Sequence, residues 1–401
     1  MDEGVGYIVC IYSRQSSIEK RTMKFLEQSE FLDLFSKPKP KVTTLTEFKR
    51  VAQVRVGNTL KPLAVYSKDK GIPAEDIALL YENIHKRNEY LTRFYQTSLL
   101  LPDALELSRV PPMKNKEMDN NQALVYKNVI RNLHYEGILR DTKSGIDENW
   151  SFLEMLANLY LHHIIDYKIL TPSARFYMKN GRLGSVFSSY YFRASIMNPH
   201  LVYSLNMSVL KGSRIFTPTL GWSSYCYGFL SCPDVKEYVG TDVIPSVCRK
   251  TQAFAKGIRP EVKTDIYCQP SEMLFASTEF KRRYREHFDV VFFSPPYYEL
   301  ELYEGGKQST NMYTTYEEWL DKYWDKTIQL CHHVLEKGGI LCYILSGYGS
   351  ENTGKYDLLG DMNRITKKLF RLKSSQPMHN KDVHVTTHKE TAERILIFVK
   401  K

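Results

Sequence analysis

Phe288-Asp289-Val290-Val291-Phe292-Phe293 runs directly into Ser294-Pro295-Pro296-Tyr297-Tyr298, and the reading of the fold turns on this stretch. The first six residues are too apolar and too few for a surface helix; they suit a strand buried on both faces of a sheet. Two prolines then stop the strand, because neither has an N–H to extend a ladder. In an open α/β sheet, ligands bind beyond the carboxyl ends of the strands, so a buried strand ending on a stiff loop marks the place for a site.

Outward from this stretch, short apolar runs alternate with helical segments from about residue 170 onward, the texture of a parallel sheet with crossover helices. The expected strands are 214–216, 238–243, 264–267, 288–293 and 340–345, closed by a hairpin of 383–386 with 394–399. The preceding region, 1–150, reads as mainly helical. Ala74-Glu75-Asp76 follows Pro73, and Ile77, Leu80, Tyr81 and Ile84 recur at helical spacing, so a helical segment is expected over 73–107. A further helix is expected over 149–167, where Phe152, Met155, Leu156, Leu159 and Tyr160 form one apolar stripe. Lys37-Pro38-Lys39-Pro40-Lys41 reads as an extended, solvated linker. The expected organisation is thus a helical region over 1–150 and a sheet domain over 170–401. The first could be a nucleic-acid recognition module, a partner-binding domain or a structural extension.

The 401 residues carry a formal net charge of +10, which favours polyanionic partners, nucleic acid above all. The 28 tyrosines add surfaces on which bases can stack, although many such rings serve only packing. No apolar stretch is long enough to span a bilayer, so no membrane role is expected. Met1-Asp2-Glu3-Gly4 is acidic where a secretory signal would be basic, and the seven cysteines never form C-x-x-C. A cytoplasmic, nucleoid or nuclear protein with reduced thiols is expected, not a secreted one. His162-His163 and His332-His333 are adjacent pairs that splay across a helix and chelate zinc poorly, so no metal site is expected. The basic runs Lys281-Arg282-Arg283-Tyr284-Arg285 and Lys367-Lys368 with Arg371 and Lys373 read as solvated helix faces that could also track phosphates.

The tetrapeptide Ser294-Pro295-Pro296-Tyr297 suits one chemistry in particular. The nitrogen of an aromatic amine delocalises its lone pair into the ring and is a poor nucleophile. Acceptors placed against its N–H bonds favour the pyramidal nitrogen needed for attack. Ser294 can offer a hydroxyl oxygen, and Pro295 a carbonyl in a loop that Pro295 and Pro296 stiffen. Tyr297 offers a flat face for a flipped-out base. The plain alternative, a proline-stiffened turn with an incidental tyrosine, fits less well directly after a buried strand.

With these residues in view, 288–298 resembles motif IV of the amino-methyltransferases, which make N6-methyladenine or N4-methylcytosine in DNA. Leu300-Glu301-Leu302-Tyr303, Gln308-Ser309-Thr310-Asn311 and Tyr316-Glu317-Glu318-Trp319-Leu320 are similar to a branch of that family. Val334-Leu335-Glu336-Lys337-Gly338-Gly339 is similar to the post-helix turn of Rossmann methyltransferases. Phe216-Thr217-Pro218-Thr219-Leu220-Gly221-Trp222 resembles the cofactor loop of a DNA methyltransferase subset with Gly-Trp. The resemblance implies S-adenosylmethionine as cofactor, held at Thr217, Pro218, Gly221 and Trp222, with Gly221 letting the backbone approach its methionine part. Thr217 stands where an acid is usual, and Ser223-Ser224 where glycines are common. Asp242 ends the next strand about twenty residues beyond the glycine, where a carboxylate can take both ribose hydroxyls. Gln269 falls where the family contacts adenine. Tyr191-Phe192-Arg193-Ala194-Ser195-Ile196-Met197-Asn198-Pro199 resembles the motif before the cofactor loop, which implies that Arg193 or Ser195 meets the cofactor carboxylate.

The expectation is therefore an α/β Rossmann-type methyltransferase sheet, helices on both faces and a C-terminal hairpin, preceded by the helical region. The expected reaction is methyl transfer from S-adenosylmethionine to the exocyclic amino group of a DNA base, adenine N6 or cytosine N4. Ser294, in place of an acid or amide, leans slightly towards cytosine. No cysteine occupies the position a carbon-5 methyltransferase needs. The same chemistry on RNA, and a degenerate fold kept as a nucleic-acid-binding or assembly subunit, remain open alternatives. A protein partner could dock on the N-terminal region. The polar stretch 304–315 reads as a mobile loop over the site.

Overall fold

The computed structural model describes residues 23–145, 149–347, 356–379 and 393–401. Arg214–Thr217 (β1), Glu237–Asp242 (β2), Lys263–Cys268 (β3), Phe288–Phe293 (β4), Leu335–Leu345 (β5), Phe370–Pro377 (β6) and Arg394–Lys400 (β7) form one sheet. Their order is β6-β7-β5-β4-β1-β2-β3. The first five strands are mutually parallel, and β7 runs antiparallel between β5 and β6. Strand order reverses between β1 and β4, which makes the crevice there the natural ligand position.

β4 lies at the centre for the reason its composition suggests. Phe288, Val290, Val291, Phe292 and Phe293 are all buried. The one polar residue of the run, Asp289, accepts backbone N–H bonds from Ser213 and Arg214 at 3.1 Å and so fixes the start of β1 beside β4. The crossover helices Ser224–Leu230 and Pro245–Ile258 pack together on one face of the sheet. Ser271–Ala276, Lys326–Val334 and Leu358–Leu369 pack in turn on the other.

The carboxyl-terminal hairpin corrects one expectation. The partner of β7 is β6, paired from Phe370↔Lys400 to Pro377↔Arg394; residues 383–386 lie outside the described ones. β6 escapes a hydrophobicity reading because it is an edge strand, mostly exposed, and edges carry charged residues that discourage further pairing. Arg371 and Lys373 accordingly sit on this strand and not on a helix face, whereas Lys367 and Lys368 end the helix Leu358–Leu369. The expected turn at 334–339 is taken into β5, with Gly338 at φ +77° and a register shift between Leu335 and Ile340.

Ahead of the sheet, the helical segment expected over 73–107 is two helices, Ala74–His85 and Arg87–Ser98, broken at Lys86. The helix expected over 149–167 is Phe152–His162, opened by a capping box of Ser151 and Glu154 and closed by His163 at φ 52°. Residues Ile164–Asp166 then pair in parallel with Gln53–Val56, which also pairs with Thr59–Pro62. The region is thus helical around a small three-stranded sheet. The Pro-Lys stretch is docked and not a free linker: Lys39 N–H donates to Leu161 O at 2.7 Å, and Pro40 O lies 2.9 Å from His163 Nε2. Its lysine side chains remain exposed. No helix among the described residues is long and apolar enough to cross a membrane.

Candidate active site

A cavity of about 790 Å³ opens at the carboxyl ends of the parallel strands. The loop after β1 contributes Pro218, Thr219, Gly221 and Trp222; the end of β2 contributes Asp242; the turn after β3 contributes Gln269 to Glu272; and the loop after β4 contributes Ser294 to Tyr297. Residues ahead of the sheet complete the wall: Asn120, Lys127, Phe192, Ser195, Ile196 and Met197. Met378 and Glu393 close it from the hairpin side.

Ser294 is held on three sides. Its N–H donates to Tyr225 OH at 3.1 Å, its hydroxyl donates to Ile344 O at 3.0 Å, and its carbonyl accepts from Thr219 Oγ1 at 3.3 Å. Because the single hydroxyl proton is committed to a carbonyl, what Ser294 Oγ offers the cavity is lone pairs, an acceptor. Pro295 and Pro296 follow along the wall. Tyr297 OH donates to Glu393 Oε1 at 3.1 Å, and burial raises both groups above their ordinary ranges. Tyr298 turns the chain away at φ 53° into an aromatic cluster with Tyr316, Trp319 and Tyr356.

Asp242 ends β2, one strand beyond β1 from the β4 end that carries Ser294, and lines the same cavity. One carboxylate oxygen accepts Leu220 N–H at 3.2 Å and the other Ile244 N–H at 3.1 Å. Each oxygen keeps a further lone pair for a ligand. Burial raises its pKa, opposed by these backbone bonds. The β1 loop itself is unusual: Gly221, Trp222 and Ser223 all have positive φ, 51°, 56° and 71°. A Cβ on Gly221 would lie 2.3 Å from the Tyr225 ring, so only glycine fits there. Left-handed backbone at a tryptophan and a serine costs on the order of 1–3 kcal/mol each and persists only where surroundings enforce it.

Two of the expected cofactor contacts are placed elsewhere. Thr217 is fully buried, and its hydroxyl pairs with Tyr238 OH at 2.7 Å within the sheet layer. Arg193 lies with its guanidinium 5.3 Å from the Phe152 ring centre and does not line the cavity, because it packs back into the preceding helices. Ser195 does line it, and its N–H donates to Glu301 Oε1 at 3.0 Å. Pro218, Gly221, Trp222, Asp242 and Gln269 are brought together with the tetrapeptide. The stretch 304–315 supplies Lys307, Gln308 and Ser309 to the wall and contains the helical turn Ser309–Met312. Gly306 presses so closely on the end of β2 that a Cβ would stand 1.8 Å from Val243 O.

Several wall residues carried no sequence signal. Glu393, in the segment entering β7, is one; Glu272, by contrast, ends the stretch Gln269-Pro270-Ser271-Glu272 expected near adenine, and its carboxyl, raised by burial, accepts from Tyr313 OH at 3.2 Å. Lys127 and Asn120 are likewise isolated in sequence from any motif. Tyr225 had one available hint, its position one helical turn beyond the glycine of the loop.

No family model and no curated protein matches the sequence. Among solved structures, the chain is similar to TrmN from Thermus thermophilus, at 13% identity and a TM-score of 0.34, over 51% of this chain and 49% of that one. The matched part thus spans about half of TrmN. It is also similar to the N-methyltransferase NodS from Bradyrhizobium japonicum WM9 in complex with S-adenosyl-L-homocysteine, at 14% identity and a TM-score of 0.33, over 50% and 83% of the two chains. An rRNA methylase from Streptococcus thermophilus matches at 17% identity and a TM-score of 0.32, over 52% and 99%. Likenesses so remote carry no argument about activity. The strand order, with β7 antiparallel between β5 and β6 and helices on both faces, is that of a Rossmann-type α/β sheet with a C-terminal hairpin.

Proposed function

We propose that this chain is an S-adenosylmethionine-dependent methyltransferase acting on the exocyclic amino group of a nucleic-acid base, with DNA as its polymer. The observation that carries this reading is the commitment of the Ser294 hydroxyl proton to Ile344, which leaves an acceptor facing the cavity that Asp242 and Gly221 also line. The residues suit the cofactor: Asp242 can accept from a ribose diol, and the bare backbone at Gly221 admits a close approach. When bound, S-adenosylmethionine supplies an electrophilic methyl group on a sulfonium.

The chain's own residues act on the other reactant. Ser294 Oγ and the Pro295 carbonyl accept the two amino hydrogens and hold the nitrogen pyramidal, its lone pair free to attack. The Tyr297 ring supports the base plane, and its tether to Glu393 fixes the ring. With the cofactor bound, its methyl carbon would pass from sulfur to this nitrogen, leaving a neutral thioether, and one amino proton would go to solvent. A base in duplex DNA must flip out to reach this depth.

The degenerate-scaffold alternative loses part of its motive, because the departures from the family pattern at Thr217 and Ser223 fall on buried hydroxyls bonded within the protein. The deciding experiment is nucleoside mass spectrometry after incubating DNA and, separately, RNA with the protein and S-adenosylmethionine. N6-methyldeoxyadenosine or N4-methyldeoxycytidine is the expected product. Methylation of RNA alone would transfer the reading to RNA, and no product with no calorimetric binding of the cofactor would overturn it.

A further inference from the structure

The left-handed run Gly221-Trp222-Ser223 has to be enforced by something, and the enforcing groups come from outside the methyltransferase sheet. His134 ends the helix Val125–Leu133, far upstream in sequence, and is buried. Its Nε2 lies 2.8 Å from Ser223 Oγ, which lies 2.7 Å from Thr251 Oγ1, which donates to Val247 O at 2.8 Å. The carbonyl at the end fixes the direction of every proton in this relay. Thr251 must donate to Val247, so Ser223 donates to Thr251, and His134 must carry its proton on Nε2 and donate to Ser223. Burial, with a smaller contribution from Lys250, holds the His134 imidazole well below its ordinary pKa, so it stays the neutral donor the relay requires.

The neighbouring contact is as close. A Cβ on Gly137 would stand 2.5 Å from the Trp222 ring, so the indole lies directly on bare backbone of the same upstream segment. Tyr303 meets the indole at a ring-centre distance of 5.9 Å, and its strand Glu301–Tyr303 pairs with Thr142–Ser144. The segment from His134 to Ser144 therefore grips the loop after β1 and the chain that returns from the tetrapeptide.

We propose that His134 is a positioning residue for the cofactor, holding the Gly221–Ser223 loop in its left-handed form through the Ser223–Thr251 relay. The upstream region is on this account part of the cofactor site and not a separable module. The proposal rests on the cofactor reading above, and its test keeps the two apart.

S-adenosylhomocysteine is titrated calorimetrically into the full chain and its variants, with thermal melting as the control for folding. His134→Ala weakens binding roughly tenfold or more, the range for leaving a buried hydroxyl without its donor. His134→Gln, whose amide can place an N–H near the Nε2 position, restores most of it. Thr251→Val keeps the side-chain shape, interrupts the relay and weakens binding several-fold. The double variant His134→Ala with Thr251→Val binds no worse than the weaker single one, because both break one relay. Affinity for a short single-stranded DNA without cofactor stays within about twofold throughout, where scatter from independent sites lies.

A folded His134→Ala variant that binds S-adenosylhomocysteine as tightly as the unmodified protein overturns the proposal. So does a parallel loss of DNA and cofactor affinity, which marks a general loosening. Should His134→Ala not fold, unchanged binding by Thr251→Val overturns it equally. Absence of binding by the unmodified protein refutes the cofactor reading itself, and this proposal with it.

Discussion

Ser294 Oγ donates to the carbonyl oxygen of Ile344, 3.0 Å away on the neighbouring strand β5. This bond converts a hydroxyl with both donor and acceptor character into a directed acceptor. It also explains why serine serves in the loop, since a carboxylate could not donate to Ile344. Removing the hydroxyl should therefore affect chemistry far more than stability. Ser294→Ala is expected to lower labelled-methyl transfer on the order of a hundredfold, while chemical denaturation registers about 1 kcal/mol, the net worth of one hydrogen bond. A loss of stability large enough to account for the lost activity would point to a structural serine.

Tyr297 presents a ring to the cavity and an OH to Glu393, and the two can be separated. Tyr297→Phe keeps the stacking face and is expected to retain activity within about twofold, whereas Tyr297→Ala removes about 1–3 kcal/mol of base stacking, a loss of about five- to 150-fold. Steady-state kinetics on an oligonucleotide distinguish them. Equal loss in both variants would assign the function to the hydroxyl and its Glu393 partner.

The ribose contact proposed for Asp242 predicts a pH dependence whose sign follows from the residue's burial. Its pKa is raised, so protonation begins at a higher pH than for an ordinary aspartate. A protonated carboxyl accepts less well from ribose hydroxyls, so the ligand prefers the ionised form. Cofactor affinity should accordingly be greatest above the raised pKa and fall as pH drops through it. Calorimetry across an acid series measures this. In Asp242→Asn the affinity should be lower at neutral pH and the acid slope shallower, and a slope unchanged by that substitution would move the effect to another wall carboxyl such as Glu272.

Gly221 and Tyr225 test the packing under the loop. A Cβ at residue 221 would enter the Tyr225 ring, and the backbone there is left-handed. Gly221→Ala is expected to cost about 2 kcal/mol or more in denaturant unfolding. It should also push Tyr225 away from the Ser294 N–H it accepts from. Tyr225→Phe keeps the ring and removes the hydroxyl that meets Ser294 N–H and the Thr219 side chain, so its cost should fall on turnover more than on unfolding. Full activity in both would mean that the bond does not orient the tetrapeptide.

Much of the sheet was legible because its central strands are buried on both faces, which writes them as almost wholly apolar runs such as 288–293, where Asp289 alone is polar. β6 was not, since an edge strand facing water has no apolar pattern to read. Gly221 and Asp242 were singled out by residue type, a glycine in a loop and an acid at a strand end, and both line the cavity. Thr217 and Arg193 were assigned to the cofactor by motif position, and motif position says nothing about which way a side chain points. At Thr217 the sheet packs the hydroxyl against Tyr238, and at Arg193 the aromatic layer around Phe152 holds the guanidinium.

Local order along the chain was enough to specify the strand-helix alternation, the proline loop after β4 and the acid after β2. These depend on burial pattern and backbone freedom, which neighbouring residues encode. The Glu393 tether on Tyr297 and the His134 relay behind Gly221 depend on something else. Each joins residues about ninety positions apart or more, and only the folded chain brings such groups within hydrogen-bonding distance. A hydrogen bond acts over about 3 Å, so its partners are set by where the core places them and not by where they stand in sequence.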